Sequence, residues 1–355
     1  MNRYWSKIVK NIKPYIPGEQ PKDRKFIKLN TNENPYPPSP KAIEAIRLAA
    51  NETLRLYPDP TCDELRTTLA RRYNLEKDQI FIGNGSDEIL AFSFPAFFEP
   101  AGNPILFAEV TYSFYPVYAD FFNINYRLIP VDAELNVSEE GYYQDNGGII
   151  IANPNAPSGR GVSEQTLEAI LKKNKNSVVI IDEAYVDFGG QSAVGLINDY
   201  PNLLVIKTLS KSHSLAGLRV GYAMGNEGLM QGLTRVKDSI NSYTVDRLAL
   251  DGAKEAIQDE AYFQETRSKI IKTRKRVTAR LAEINIKVIP SHANFIFVSS
   301  AQCHGEVLFQ RLREKGILVR HFNKPKIDNF IRVTIGTDEE MDCFLDAIAV
   351  VCLIK

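Results

Sequence analysis

Residues 203–221 read LLVIKTLSKSHSLAGLRVG. The run opens with four consecutive apolar side chains and no polar alternation, as expected of a strand buried on both faces. Residues 177–182, SVVIID, have the same character and end on a carboxylate. After the first run the chain turns to hydroxyl and small residues around Lys211, with Arg219 eight positions further on. A lysine that serves only as a solvated charge is not usually placed at the end of a buried strand in such company.

Working outward, short apolar runs at 79–83, 105–108, 125–129, 148–152, 178–182, 203–208 and 221–224 predict seven strands. Helical patterns at 62–73, 86–97, 113–121 and 163–172 fall between several of them. Strands alternating with helices predict an α/β domain with a mostly parallel sheet, covered on both faces. From about residue 251 the texture changes. A long charged amphipathic helix is expected over 260–283, then strands at 286–289 and 294–298, a helix at 305–315, strands at 318–320 and 330–335, and a closing helix that buries the apolar run 347–354. That order is α+β. The 355 residues exceed what one hydrophobic core usually organises. The expected division is a Pro-, Gly- and Lys-rich arm over 1–29 that packs on the smaller domain, a large domain over 30–250 and a smaller one over 251–355.

Lys+Arg and Asp+Glu both number 43, so there is no basic excess to suit a nucleic acid. A small anion needs only a local cluster of positive groups. Cys62, Cys303, Cys343 and Cys352 are scattered, without metal or disulfide spacing. His213, His292, His304 and His321 match no triad or metal pattern. The N-terminus lacks the apolar stretch of a secretion signal, and no run reaches the ~20 apolar residues that span a bilayer. A cytoplasmic protein without membrane or nucleic-acid partners is expected.

In open α/β sheets ligands sit beyond the carboxyl ends of the strands. Gly83-Asn84-Gly85-Ser86-Asp87-Glu88 follows one strand and enters a helix, where free N–H groups and glycine suit a phosphate. By itself it reads sooner as a plain Ser/Asp cap, since caps are common. Asp182-Glu183-Ala184-Tyr185 follows another strand, and Ser210-Lys211 a third. Together they offer what pyridoxal 5′-phosphate requires: a lysine for its aldehyde, a carboxylate to keep its ring nitrogen protonated, and donors for its phosphate.

With those residues in view, S-K-x-x-x-L-A-G-L-R-x-G-Y at 210–222 resembles the lysine signature of fold-type I, class II aminotransferases, and Asp182-Glu183-Ala184-Tyr185 resembles their Asp/Tyr pair. Within them the chain most resembles the histidinol-phosphate aminotransferase family, through 14–18 (PYIPG), 29–35 (LNTNENP), 57–59 (YPD), 111–115 (TYSFY), 291–295 (SHANF), 319–322 (VRHF) and 331–337 (IRVTIGT). The resemblance implies an aspartate-aminotransferase-like fold and a homodimer with shared active sites. It implies that Lys211 bonds the cofactor, Asp182 pairs with its ring nitrogen, Tyr185 donates to its 3′-oxygen and Tyr112 stacks on its ring. Backbone at Gly85, Ser86 and Asp87, with Ser210 and Arg219, would hold the phosphate, and Tyr57 would reach the neighbouring subunit's cofactor. Tyr15, Arg320 and Arg332 would hold the anionic ends of histidinol phosphate and 2-oxoglutarate. One departure stands out: residues 153–159 read NPNAPSG, and Ala156 occupies the place of the asparagine that meets the 3′-oxygen in the family. Either Asn155 takes that contact by a local shift, or Tyr185 carries it alone. An aromatic-amino-acid aminotransferase and a threonine-phosphate decarboxylase share these motifs. A PLP-dependent transcription regulator would need a basic module ahead of the domain, and only about 30 residues stand there.

Overall fold

All seven apolar runs pair into one sheet in the computed structural model, which describes residues 3–21 and 24–353. In spatial order the strands are Ile80–Asn84, Val220–Gly225, Leu203–Thr208, Val179–Asp182, Gly148–Ala152, Ile105–Ala108 and Tyr126–Ile129. Val220–Gly225 runs antiparallel to both neighbours, and the other pairings are parallel. The absence of polar alternation now has its cause. Ile149, Ile151, Val179, Ile181, Leu203 and Val205 enter the core on one face. Ile150, Ile180, Leu204 and Ile206 enter the core on the other.

A second, four-stranded antiparallel sheet holds Arg320–His321, Ile331–Thr334, Phe295–Ser300 and Ile286–Ile289, in that order. Helices Glu260–Glu283, Gly305–Glu314 and Asp338–Leu353 supply its core with Ile270, Leu308, Leu312 and Phe344. Of the apolar run 347–354, Ile354 lies outside the described residues. The single strand expected at 318–320 is two. Ile317–Leu318 pairs in parallel with Ile27–Lys28 of the N-terminal segment, and Arg320–His321 turns to pair with Ile331–Thr334. The N-terminal segment is tied down elsewhere as well. Glu19 pairs with Arg313, and Arg320 donates to the carbonyls of Ile16 and Pro17.

Three further helices flank the large sheet, Pro40–Ala49, Glu227–Ile240 and Arg247–Gln258. Each carries a readable start: Ser39 before proline, Asn226 and Asp246, all accepting a backbone N–H in the first turn. Among the described residues no helix is long and apolar enough to cross a membrane.

A buried ion pair stands behind the end of strand Leu203–Thr208. Lys207 Nζ lies 2.7 Å from Asp187 Oδ1, and Ser212 Oγ donates to Asp187 Oδ2 over 2.6 Å. Burial alone would push the Asp187 carboxyl up, and the Lys207 ammonium beside it holds it down at about 2. Removing one partner strands a buried charge, so Lys207→Met should lower the unfolding free energy by about 3 kcal/mol in urea denaturation. Adding Asp187→Leu should recover most of that loss. An unchanged midpoint in Lys207→Met would show that water reaches the pair.

Candidate active site

The carboxyl ends of the parallel strands open into a pocket of about 470 Å³, closed from the other side by the N-terminal segment and the small sheet. Its floor begins where strand Ile80–Asn84 turns into helix Gly85–Phe97. Gly85 adopts φ +78°, and a Cβ there would stand 2.5 Å from Arg219 Nη2. The positive φ favours glycine at this turn, and a Cβ there would make the guanidinium shift. Arg219, itself at φ +55°, reaches Asp87 Oδ2 at 3.3 Å and Ser210 Oγ at 3.4 Å. Thr208 Oγ1 donates to Ser210 Oγ over 3.0 Å. A helix N-terminus, a guanidinium and hydroxyls thus converge on one spot, the makings of a phosphate site.

Register does the next part. Strand Val179–Asp182 places Asp182 opposite Ile206 of strand Leu203–Thr208, so the carboxylate and the Lys211 loop emerge side by side. Asp182 is buried; it accepts from Tyr115 Oη at 2.8 Å and from the Ala184 N–H at 3.2 Å. Burial pushes its carboxyl up to about 6. Lys211 Nζ donates to the Thr31 carbonyl over 3.1 Å and stands 5.9 Å from the centre of the Tyr185 ring. Burial, with Arg332 nearby, brings its amine down from 10.5 to about 8. Tyr185 packs edge-on against Phe295 and accepts a hydrogen bond from Asn32 Nδ2 over 3.0 Å.

Toward the mouth stand Arg332, Arg320 and Tyr15. Arg332 donates to the Asn30 carbonyl over 3.0 Å, and its Nε is buried without a partner. Tyr15 stacks on Phe114 at 4.3 Å, beside Tyr112, whose hydroxyl donates to Asp87 Oδ1 over 3.0 Å.

The pocket brings together Tyr15, Ser86, Asp87, Tyr112, Asp182, Tyr185, Ser210, Lys211, Arg219, Arg320 and Arg332, with Gly85 beneath Arg219. It does not bring in Asn155. The Asn155 amide donates instead to the Val110 carbonyl at 2.9 Å and to Ser158 Oγ at 3.0 Å, while Ala156 lines the pocket. Tyr57 lies outside this pocket too, 77% exposed and stacked on Tyr243 at 4.6 Å. Sequence reasoning singled out neither Thr31 nor Asn32 nor Tyr115 for a role. Their only signal was membership in the LNTNENP and TYSFY segments.

The donor set fits pyridoxal phosphate. A Cβ at Gly85 would crowd the guanidinium of the cradle, Asp182 has no cation among the described residues hydrogen-bonded to it, and the Lys211 amine stands in the same pocket.

Residues 24–348 match the family of class I and II aminotransferases. The histidinol-phosphate aminotransferase of Clostridium acetobutylicum is 56% identical over 348 residues, which cover 98% of this chain and 99% of that one. The crystal structure of histidinol-phosphate aminotransferase from Sinorhizobium meliloti in complex with pyridoxal-5′-phosphate superposes with TM-score 0.89 at 24% identity, covering 99% of this chain and 98% of that one. Aspartate aminotransferase from Thermus thermophilus with maleate gives TM-score 0.84 at 18% identity, covering 99% and 100%. These two likenesses establish the aspartate-aminotransferase type of fold.

The lowered amine has a measurable consequence in cofactor-free protein. Between about pH 8 and 10.5 Lys211 is neutral when folded and protonated when unfolded. The unfolded chain then binds more protons, so stability rises with pH across that window. Wild type should gain stability over Lys211→Met between those limits, and competitive acetylation should reach half its maximal rate at Lys211 near pH 8. A flat stability difference with half-reaction above pH 10 would contradict the burial described.

Proposed function

The chain belongs to the class I and II aminotransferases, and we propose that it transfers the amino group of L-histidinol phosphate to 2-oxoglutarate, yielding imidazole-acetol phosphate and L-glutamate, a step of histidine biosynthesis. The observation that carries this reading is the meeting of Arg320 and Arg332 in one pocket with Lys211 and Asp182. The 56% identity to a histidinol-phosphate aminotransferase supports it.

Pyridoxal 5′-phosphate, when bound, supplies an electron sink for the charge left at the substrate's α-carbon. The chain supplies the rest. Backbone at Gly85, Ser86 and Asp87, with Ser210 and Arg219, holds the phosphate, and Tyr112 stacks on the ring. Asp182 holds the proton on the ring nitrogen, whose positive charge offsets the burial that raises the free carboxyl. Tyr185 donates to the 3′-oxygen without help from residue 156, where alanine stands. Lys211 would hold the aldehyde, and its free amine, lowered by burial and Arg332, would take the proton from the substrate's Cα.

Two anions must use the mouth in turn. Histidinol phosphate has a phosphate and no carboxylate, and glutamate has two carboxylates. Arg320 and Arg332 serve both without a proton to lose, since guanidinium forks suit either group. Tyr15 adds a neutral donor.

We read the active unit as a symmetric homodimer in the cytoplasm, organised as arm 1–29, large domain 30–250 and small domain 251–355. Tyr57 is exposed here and stacked on Tyr243, and Leu54 and Leu56 next to it in the chain are exposed too, apolar surface that a second subunit would cover. Two-fold symmetry would then give two shared sites.

Specificity constants for histidinol phosphate, histidinol, phenylalanine and tyrosine, measured under identical conditions, test the substrate. Loss of the donor's phosphate should cost on the order of 2 kcal/mol, some thirtyfold, and Arg332→Ala should weaken both half-reactions by a similar factor. Phenylalanine as the better donor would favour an aromatic aminotransferase, and release of carbon dioxide from threonine phosphate a decarboxylase.

Subunit sharing has its own test. Mixing inactive Lys211→Ala with Tyr57→Phe should give hybrids with one intact site, and activity above either parent. No rise, with exchange verified by mass spectrometry, would place Tyr57 outside the neighbour's site.

A further inference from the structure

The segment Leu29–Asn34 runs from the small sheet to the Lys211 loop at the end of the large one. The Leu29 N–H donates to the Leu318 carbonyl over 2.8 Å, and the Thr334 N–H donates to the Leu29 carbonyl over 2.9 Å. Asn34 Nδ2 donates to the Lys211 carbonyl over 3.1 Å, and the Thr31 carbonyl accepts from Lys211 Nζ. At the centre sits Asn32, 1% exposed and at φ +57°, a conformation asparagine tolerates better than most residues.

Its hydrogen bonds form a closed set with a fixed direction. The Asn32 N–H donates to Thr334 Oγ1 over 2.9 Å. Thr334 Oγ1 then points its own proton at Asn32 Oδ1, 3.1 Å away. With Oδ1 so engaged, Nδ2 is the atom that meets Tyr185 Oη at 3.0 Å. Asn294 Nδ2 pins the same residue through its carbonyl over 2.9 Å. Tyr185 Oη therefore accepts on the Asn32 side, and its proton is left to point into the pocket.

We propose that Asn32 is a positioning residue: the chain Thr334–Asn32–Tyr185 sets the direction of the Tyr185 hydroxyl so that it donates to the 3′-oxygen of bound pyridoxal phosphate. This rests on the role proposed for Tyr185. The direction matters more in this chain because Ala156 offers no second donor and Asn155 is turned to Val110 and Ser158. The charged groups facing Tyr185 are Lys211, Arg332, Asp182 and Asp87. None of them is hydrogen-bonded to its oxygen as Asn32 is.

Asn32→Asp reverses the direction at nearly constant size. The new carboxylate oxygen accepts the Tyr185 proton and draws it away from the cofactor. The readout is the pH titration of the bound cofactor's absorption band, which follows how strongly the 3′-oxygen anion is stabilised and requires no turnover. Tyr185→Phe should move the midpoint up by about one pH unit, the worth of one lost hydrogen bond to a charged acceptor. Asn32→Asp should move it at least as far in the presence of Tyr185. In the Tyr185→Phe background it should add only a small fraction of that shift, because there is no hydroxyl left to turn. An equal shift in both backgrounds would mean that the charge of the introduced carboxylate acts directly, and the proposal falls. An unmoved midpoint in Asn32→Asp, with Tyr185→Phe shifted, also overturns it. Should Tyr185→Phe itself leave the midpoint in place, the failure lies in the role given to Tyr185. Should Asn32→Asp not fold, Asn32→Ser, a shorter side chain with a hydroxyl that can donate or accept, replaces it under the same criteria.

Discussion

Parallel pairing of Val179–Asp182 with Leu203–Thr208 fixes the relation between Asp182 and the loop of Lys211. Side chains alternate between the two faces of a sheet, so slipping either strand by one residue would turn the carboxylate away from the lysine. What holds the register is the apolar packing of Ile180, Leu204 and Ile206 on one face and Ile181, Leu203 and Val205 on the other. Both faces are buried, so no slip is free of cost. The chemistry of the pocket is thus specified by residues that never touch it.

Two kinds of buried charge stand within this core, and their partners distinguish them. Lys207 and Asp187 satisfy one another, with Ser212 taking the second carboxylate oxygen. Among the described residues Asp182, by contrast, is held by neutral donors alone, Lys211 by a carbonyl, and Arg332 Nε by nothing. Groups kept under such conditions are displaced from their usual proton affinities, toward about 6 for Asp182 and about 8 for Lys211. The first kind is structural. The second is a set of incomplete interactions that a charged ring, an aldehyde and an anion complete.

The strands were legible in the sequence because runs such as SVVIID and LLVIK can only be buried on two faces, and all seven expected strands form within a residue or two of their expected bounds. Helices Pro40–Ala49, Glu227–Ile240 and Arg247–Gln258 have caps but lie outside the expected set. The first and last of them bury mostly alanine and glycine, which carry little periodic signal. The break at Val319 was not legible, since no local signal says that Ile317–Leu318 answers to a strand nearly 300 residues earlier. The pocket divides in the same way. Lys211, Asp182, Gly85 and Arg219 belong to strand ends and turns, where motif and geometry coincide. Asn155 and Asn32 show the limit: both are buried asparagines, and only tertiary hydrogen bonding decides that one faces Val110 while the other faces Tyr185.

Charge shows the gap between composition and site most directly. The whole chain is balanced, 43 against 43, which by itself suggests no anionic ligand. The pocket is not balanced. Lys211, Arg219, Arg320 and Arg332 face Glu33, Asp87 and Asp182, and Glu33 is already paired with Lys28 outside that group. Asp87 is drawn into the hydrogen bonds of Arg219 and Tyr112. Arg219, which shares Asp87 with Tyr112, and Arg320 and Arg332 are therefore left to meet the phosphate and carboxylate of whatever enters. Their field acts at short range, inside a pocket closed on its far side by the N-terminal segment and the small sheet, where salt screens it less than at the open surface. A neutral protein can select anions in this way because the selecting charges are concentrated where three strand ends, one helix N-terminus and one crossing segment converge, and the compensating carboxylates are spread over the remaining surface.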